Sequence, residues 1–129
     1  MHDRRTLWLT QVGPGDTIGG IEWSSSVDPL NSPIYVSINN SSNQNQTLAP
    51  DFKKSWKGGM WSALDATTGR ILWQAPATGT NPVTSKHTSG LRPMASSPGL
   101  VYTGSMPDDM VALDDNTGAT IWKYVSGDR

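Results

Sequence analysis

The chain has no cysteine, one phenylalanine and two histidines in 129 residues. Without thiols there is no disulfide framework, no thiolate zinc site and no cysteine nucleophile, and cysteine pairing leaves no trace of the redox compartment. His2 and His87 stand too far apart in sequence for zinc-ligand spacing. Charge is scarce as well. Ten Lys and Arg against eleven Asp and Glu give a formal net charge of -1, which supplies no basic footprint for nucleic acid or an anionic membrane. No apolar run approaches the ~18–20 residues that span a bilayer. The N-terminal MHDRRTLWLTQVGPGD has too short an apolar core for a signal peptide, so a secreted product would carry its signal outside this sequence. Nucleophile elbows, phosphate loops and dinucleotide fingerprints are missing, and so are segments with apolar residues at helical spacing.

What the chain does have is turn formers and tryptophan. Thirteen Gly, nine Pro and many Ser, Thr and Asn residues suit short strands joined by turns, and six Trp against one Phe suggest an assigned structural place for tryptophan. WSALDATTGRILWQ, starting at Trp61, returns as MVALDDNTGATIWKY, starting at Met110. Ala63 pairs with Ala112, Leu64 with Leu113, Asp65 with Asp114, Thr68 with Thr117, Gly69 with Gly118 and Trp73 with Trp122, always 49 positions apart. A repeat of roughly 40–50 residues points to a propeller or a similar array. Upstream, PLNSPIYVS matches SPGLVYTGS and pairs Tyr35 with Tyr102. The first copy is 18 residues longer, an excess that falls in INNSSNQNQTLAPDFKKSWKG. A partial third copy opens the chain, where TLWLTQVGPG matches ILWQAPATG and sets Trp8 beside Trp73 and Trp122.

Each full copy reads as four short strands, A to D. They are expected near 21–27, 34–38, 60–65 and 70–75 in the first copy, and near 93–97, 100–105, 110–114 and 119–125 in the second. The sequence therefore predicts an all-β chain with one preceding outer strand and linker (1–18), a first blade with an inserted loop at 39–59 (19–79), and a second blade (80–129). Asp65 and Asp114 are placed to accept backbone N–H bonds in Asx-turns. Gly69 and Gly118 supply the positive φ that closes each hairpin. Ala63 and Ala112 are expected to leave room that a tryptophan of a neighbouring sheet fills.

At these residues the sequence resembles the pyrroloquinoline quinone (PQQ) dehydrogenase type of β-propeller. That family repeats a tryptophan-docking motif, A-x-D-x-x-T-G-x-x-x-W, present here as ALDATTGRILW and ALDDNTGATIW. The context WLTQVGPGDTIGGIEWSSSVD followed by GGMWSALDATTGRILWQ is most similar to the polyvinyl-alcohol-dehydrogenase-like branch, and the likeness covers most of Gly19 to Gly127. It implies four-stranded antiparallel blades, seven or eight to a ring, with the motif tryptophans knitting blades together. About two blades and one strand do not close such a ring, which at ~45 residues per blade needs more than roughly 300 residues. The remaining blades would come from the rest of a longer chain or from copies of this one, and a start on a lone strand D favours the former.

The long connections, at 39–59 and 76–92, are expected on one face, where binding sites normally lie. In the family the cofactor lies near the axis, approached by strand A and the D–A loops. The resemblance thus nominates Glu22, Trp23 and Arg92 as contacts for PQQ or calcium, with His87 a weaker candidate. A carboxylate suits calcium, a guanidinium suits an anionic quinone, and an indole offers a ring face. Plainer readings stay open: a solvated strand-edge charge for Glu22, a core position for Trp23, a surface site before proline for Arg92 and a loop residue for His87. The acidic pairs at 108–109 and 114–115 resemble a calcium loop only superficially. The family's aspartate base has no motif-anchored counterpart here, and the vicinal cysteines of some members are absent. Asn39, Asn40 and Asn45 head N-x-S/T triplets, which suits a secreted glycoprotein. The implied function is a segment of a PQQ-dependent alcohol dehydrogenase, inactive by itself and periplasmic or secreted. The alternative is a non-catalytic propeller acting as a structural or interaction scaffold.

Overall fold

The computed structural model describes residues 5–77, 79, 86–87, 92–105 and 109–125. Ten strands run in chain order: β1 (Ser26–Val27), β2 (Pro33–Ile38), β3 (Gln46–Thr47), β4 (Ser55–Trp56), β5 (Met60–Asp65), β6 (Ile71–Pro76), β7 (Ala95–Ser97), β8 (Leu100–Ser105), β9 (Asp109–Asp114) and β10 (Thr120–Val125). They form two antiparallel four-stranded sheets, β1-β2-β5-β6 and β7-β8-β9-β10, together with the small β3-β4 hairpin. Each large sheet is a meander of hairpins, the simplest antiparallel topology for segments joined by short turns. No helix among the described residues is long and apolar enough to cross a membrane.

Strand C matches expectation in the first sheet, and strand B does in the second. Strand A is the exception. In the first sheet only Ser26 and Val27 pair with β2, whereas the sequence predicts pairing from Ile21. Further upstream the backbone touches the sheet again at one bridge, between Gly20 and Asn39. Residues 6–12 join no sheet among the described residues.

The two repeated hairpins close in the same way. Asp65 Oδ1 accepts the N–H groups of Thr67 and Thr68 at 2.8 and 3.0 Å, and Asp114 Oδ1 accepts those of Asn116 and Thr117 at 2.8 and 3.1 Å. Gly69 and Gly118 both sit at φ +74°, in the left-handed region where a Cβ is strained. Each glycine also receives an indole. A Cβ on Gly118 would lie 2.5 Å from Cε3 of Trp73, and one on Gly69 would lie 2.5 Å from Cδ2 of Trp8. The indole N–H groups then bind the hairpin backbone: Trp73 Nε1 donates to Asp115 O, and Trp8 Nε1 to Ala66 O, both at 2.9 Å. Ala66 and Asp115 are again repeat-equivalent.

Room for the tryptophan is therefore made by the hairpin glycine. The sequence reading assigned that space to Ala63 and Ala112, but Ala63 is instead the cross-strand partner of Trp73 within its own sheet. The glycine meets two demands with one missing methyl group, a positive φ and a flat seat for a ring.

Side-chain alternation divides the core. One cluster joins the two sheets and contains Tyr35, Trp61, Trp73, Met94, Val101, Val111 and Leu113. The other covers the opposite face of the first sheet, where Val36, Ile38, Leu48, Met60 and Leu64 pack with Trp8, Val12 and Trp56. Neighbouring residues on β2 and β5 go to opposite clusters, as a period of two requires. The second sheet has only one covered face. Ile121, Trp122, Tyr124 and Val125 are each more than half exposed, and Trp122 stacks on Tyr124. Trp122 thus differs from Trp8 and Trp73, because no third D-x-x-T-G hairpin among the described residues receives it.

Two outcomes follow. Trp73→Ala should lower the unfolding free energy of the 129-residue chain by about 3–5 kcal/mol, whereas Trp122→Ala should change it by no more than about 0.5 kcal/mol; urea titrations compare them. The second outcome concerns Tyr35. Burial, reinforced by the charges of Asp115 and Asp28, pushes its phenol up to about 12 from an ordinary 10.0. The unfolded chain then gives up this proton before the folded one. Tyr35's contribution is intact below pH 10 and is lost as pH rises toward about 12. Melting temperatures across that window should fall less steeply in Tyr35→Phe than in the parent.

Candidate functional site

The inner strands of the two sheets lie side by side. Met94 N donates to Ser24 O at 3.0 Å, and the hydroxyls of Ser26 and Ser96 meet at 2.7 Å. Both contacts join residues 70 positions apart, so the segments run parallel and in step. Glu22 and Arg92 each precede the Ser24–Met94 pair by two residues, which sets them at one level on neighbouring inner segments.

Glu22 is exposed, and one of its oxygens, Oε2, accepts Nδ2 of Asn39 at 3.3 Å. Asn39 follows β2 directly and is held by two backbone bonds with Gly20, of 3.1 and 2.9 Å. Its side chain is 1% exposed. Nδ2 also donates to Ile18 O, so both of its neighbours are acceptors and the amide cannot be turned round without setting oxygen against oxygen. Asn39 Oδ1 is consequently a buried acceptor with no donor among the described residues. Leaving such an atom unpaired costs about 1–3 kcal/mol, and with the Glu22 carboxylate held by the same amide the group offers two oxygens that suit a cation. The sequence reading did not single out this buried acceptor because the NNSSN context drew attention to sugar attachment.

The other nominated residues separate. Trp23 is 44% exposed in this segment. Arg92 is partly buried, with its stem against Gly104. His87 stands apart from the inner strands. Its ring lies 4.3 Å from that of Trp56, and its carbonyl accepts Asn43 Nδ2 at 3.4 Å. Most of the 76–92 connection, like His2, lies outside the described residues. Among the described residues no three His, Cys, Asp or Glu side chains cluster as metal ligands.

The inserted segment is tied down at both ends. Asp16 accepts Ser41 Oγ and Ser42 N, each at 2.8 Å, and Ile18 N at 3.0 Å. These bonds, those from Ser42 foremost, hold the Asp16 carboxyl below its ordinary range. Asn40 is fully buried, and its Nδ2 donates to Gln44 O and Gly58 O at 2.9 and 3.1 Å. Neither Asn39 nor Asn40 has room for a glycan, so two of the three expected acceptors are corrected by burial. Asn45 is exposed. Further along, Ala49 runs beside the outer strand β6: Gln74 N donates to Ala49 O at 3.1 Å, and Ala49 N to Gln74 Oε1 at 3.0 Å. The insertion thereby covers part of an edge that would otherwise expose unpaired backbone.

Comparison with known proteins agrees with this architecture. Residues 57–128 match the family model described as "Outer membrane protein assembly factor BamB", a PQQ-type repeat. The chain is 27% identical over 127 residues to a polyvinylalcohol dehydrogenase of Pseudomonas sp., and 28% identical over 134 residues to one of Sphingopyxis sp. (strain 113P3). Both matches take in 95% of this chain and 18% of the relative, so the chain spans less than a fifth of their length. Among solved structures, BamB from Moraxella catarrhalis superposes with a TM-score of 0.54 at 22% identity, over 82% of this chain and 24% of that one. At that identity the likeness speaks for the fold. The glycine-seated indoles, the paired meanders and a match over more than half of the sequence lead to one conclusion: the chain belongs to the BamB-type, PQQ-like β-propeller repeat family.

Proposed function

We propose that this chain is a segment of a quinone-dependent alcohol oxidoreductase propeller and that it contributes part of an axial cofactor site. The observation that carries the reading is the buried Oδ1 of Asn39, without a donor among the described residues, on the same amide whose Nδ2 binds the Glu22 carboxylate. Two hard oxygen donors suit calcium, which takes six to eight such ligands. Glu22 and Asn39 would hold one side of the ion, and other blades would complete its shell. Arg92, level with Glu22 on the adjoining segment, would pair with a quinone carboxylate, and the exposed ring of Trp23 would lie against the quinone plane. When bound, calcium and PQQ together supply an electrophilic hydride acceptor. The chain's own part is to bind and orient.

Two polyvinylalcohol dehydrogenases among the relatives support an alcohol substrate. A place outside the cytoplasm, periplasmic or secreted, accords with an outer-membrane assembly factor giving the family its description. The segment alone would be inactive, because its donor set is incomplete.

The missing blades belong to other sequence and not to copies of this chain. The chain has three motif tryptophans but two hairpins, and Trp8 and Trp73 already occupy both. A second copy has no free seat for Trp122. A non-catalytic scaffold remains the alternative, favoured by the fact that every residue shared by the two repeats serves packing or turn closure.

Calorimetric calcium titration of the complete propeller, with and without PQQ, decides between them. The expected result is saturable binding weakened at least about tenfold by Glu22→Gln, roughly 1.4 kcal/mol, with dye-linked alcohol oxidation that depends on both additions. Absence of calcium and PQQ binding in the intact protein would leave the scaffold.

A further inference from the structure

On the outer rim, away from Glu22, a cleft of about 280 Å³ opens between residues 11–14, the insertion and the start of β6. Gln11, Gln46, Thr47, Phe52, Ile71 and Gln74 line it, and among the described residues no ionisable side chain does. Three features set it apart. Phe52 is a bulky residue held at φ +56°, pinned by its N–H to Leu48 O at 2.9 Å, yet its ring is 55% exposed. A left-handed backbone strains any residue with a Cβ, and an exposed ring recovers little of that through burial. Beside it, Gln46 Nε2 is buried without an acceptor among the described residues. Gln74, in contrast, is fully engaged, donating to Val12 O at 2.9 Å and Ser62 Oγ at 3.0 Å, so it forms a fixed floor.

We propose that this cleft binds one sugar residue of a neutral saccharide. The carboxamides of Gln11 and Gln46 and the Thr47 hydroxyl both donate and accept, which matches a ring of hydroxyls, and an exposed phenyl offers the apolar face that sugar C–H groups need. A charged ligand would find no counter-charge. An added peptide strand is disfavoured because Ala49 already pairs with β6 at Gln74, where augmentation would begin. The cleft also survives completion of the ring. Trp8 uses its hairpin as Trp73 of β6 uses the next, so residues 6–12 hold the outer-strand place of a preceding blade. The strands still to be added lie inward of it. The site is independent of the axial reading and stands or falls separately.

The test is saturation-transfer NMR and calorimetry on the complete propeller chain carrying this segment, with maltotriose, cellotriose and mannotriose as neutral probes and trigalacturonate as the charged control. At least one neutral probe should bind with Kd near about 1 mM, and Phe52→Ala and Gln46→Leu should each weaken it at least about tenfold. Phe52→Ala should leave the urea midpoint nearly unchanged, since the ring is mostly exposed and alanine keeps the Cβ that strains the left-handed backbone. The proposal is overturned if no neutral probe binds below about 50 mM, if trigalacturonate binds as tightly as the neutral probes, or if neither substitution affects binding.

Discussion

The structure depends on an indole seated on a glycine. Each D-x-x-T-G turn is closed by a left-handed residue without a side chain, and that bare surface is where the tryptophan of the sheet before it lies flat. The ring adds apolar contact and the indole N–H adds a hydrogen bond to the turn backbone, so the joint is both non-polar and directional. The same residues that make a hairpin locally thus make the sheet-to-sheet contact globally. This coupling explains why a short motif recurs at fixed spacing while the strands around it drift.

From that joint follow the inner segments. With the outer strands locked through Trp73, the first residues of the two sheets are brought parallel and in step, linked through Ser24 and Met94 and through Ser26 and Ser96. Glu22 and Arg92 reach a common level by this route. The insertion is a separate device. It leaves the end of β2, is clamped by Asp16 and Asn40, and returns over the outer edge of β6. In doing so it creates rim surface that the second repeat does not have.

The sequence made the all-β class, the two meanders and most strand ends legible, because Asp, Thr, Gly and Trp at fixed spacing state a local geometry that tertiary packing reinforces. Strand A was harder to read. Its inner position leaves few of its residues paired, so Ile21 to Ser25 look strand-like in composition but bond little. The seat of the tryptophan was misplaced onto alanine, since sequence shows small residues without showing which lies under the ring. The site was read only in part. Glu22 stood out by charge, but Asn39 sat within an Asn- and Ser-rich run whose composition suggests an exposed loop, and only the fold reveals that its amide is buried. Phe52 gave no signal at all, because a positive φ at a non-glycine residue comes from the loop around it.

The most direct measurement is a double-mutant cycle between Trp73 and Gly118, read as unfolding free energy. If the indole rests on the glycine, Gly118→Ala will cost less in a Trp73→Ala background than in the parent, with a coupling of about 1–3 kcal/mol. Additive costs would contradict the account, since they would mean that the two residues do not share a contact.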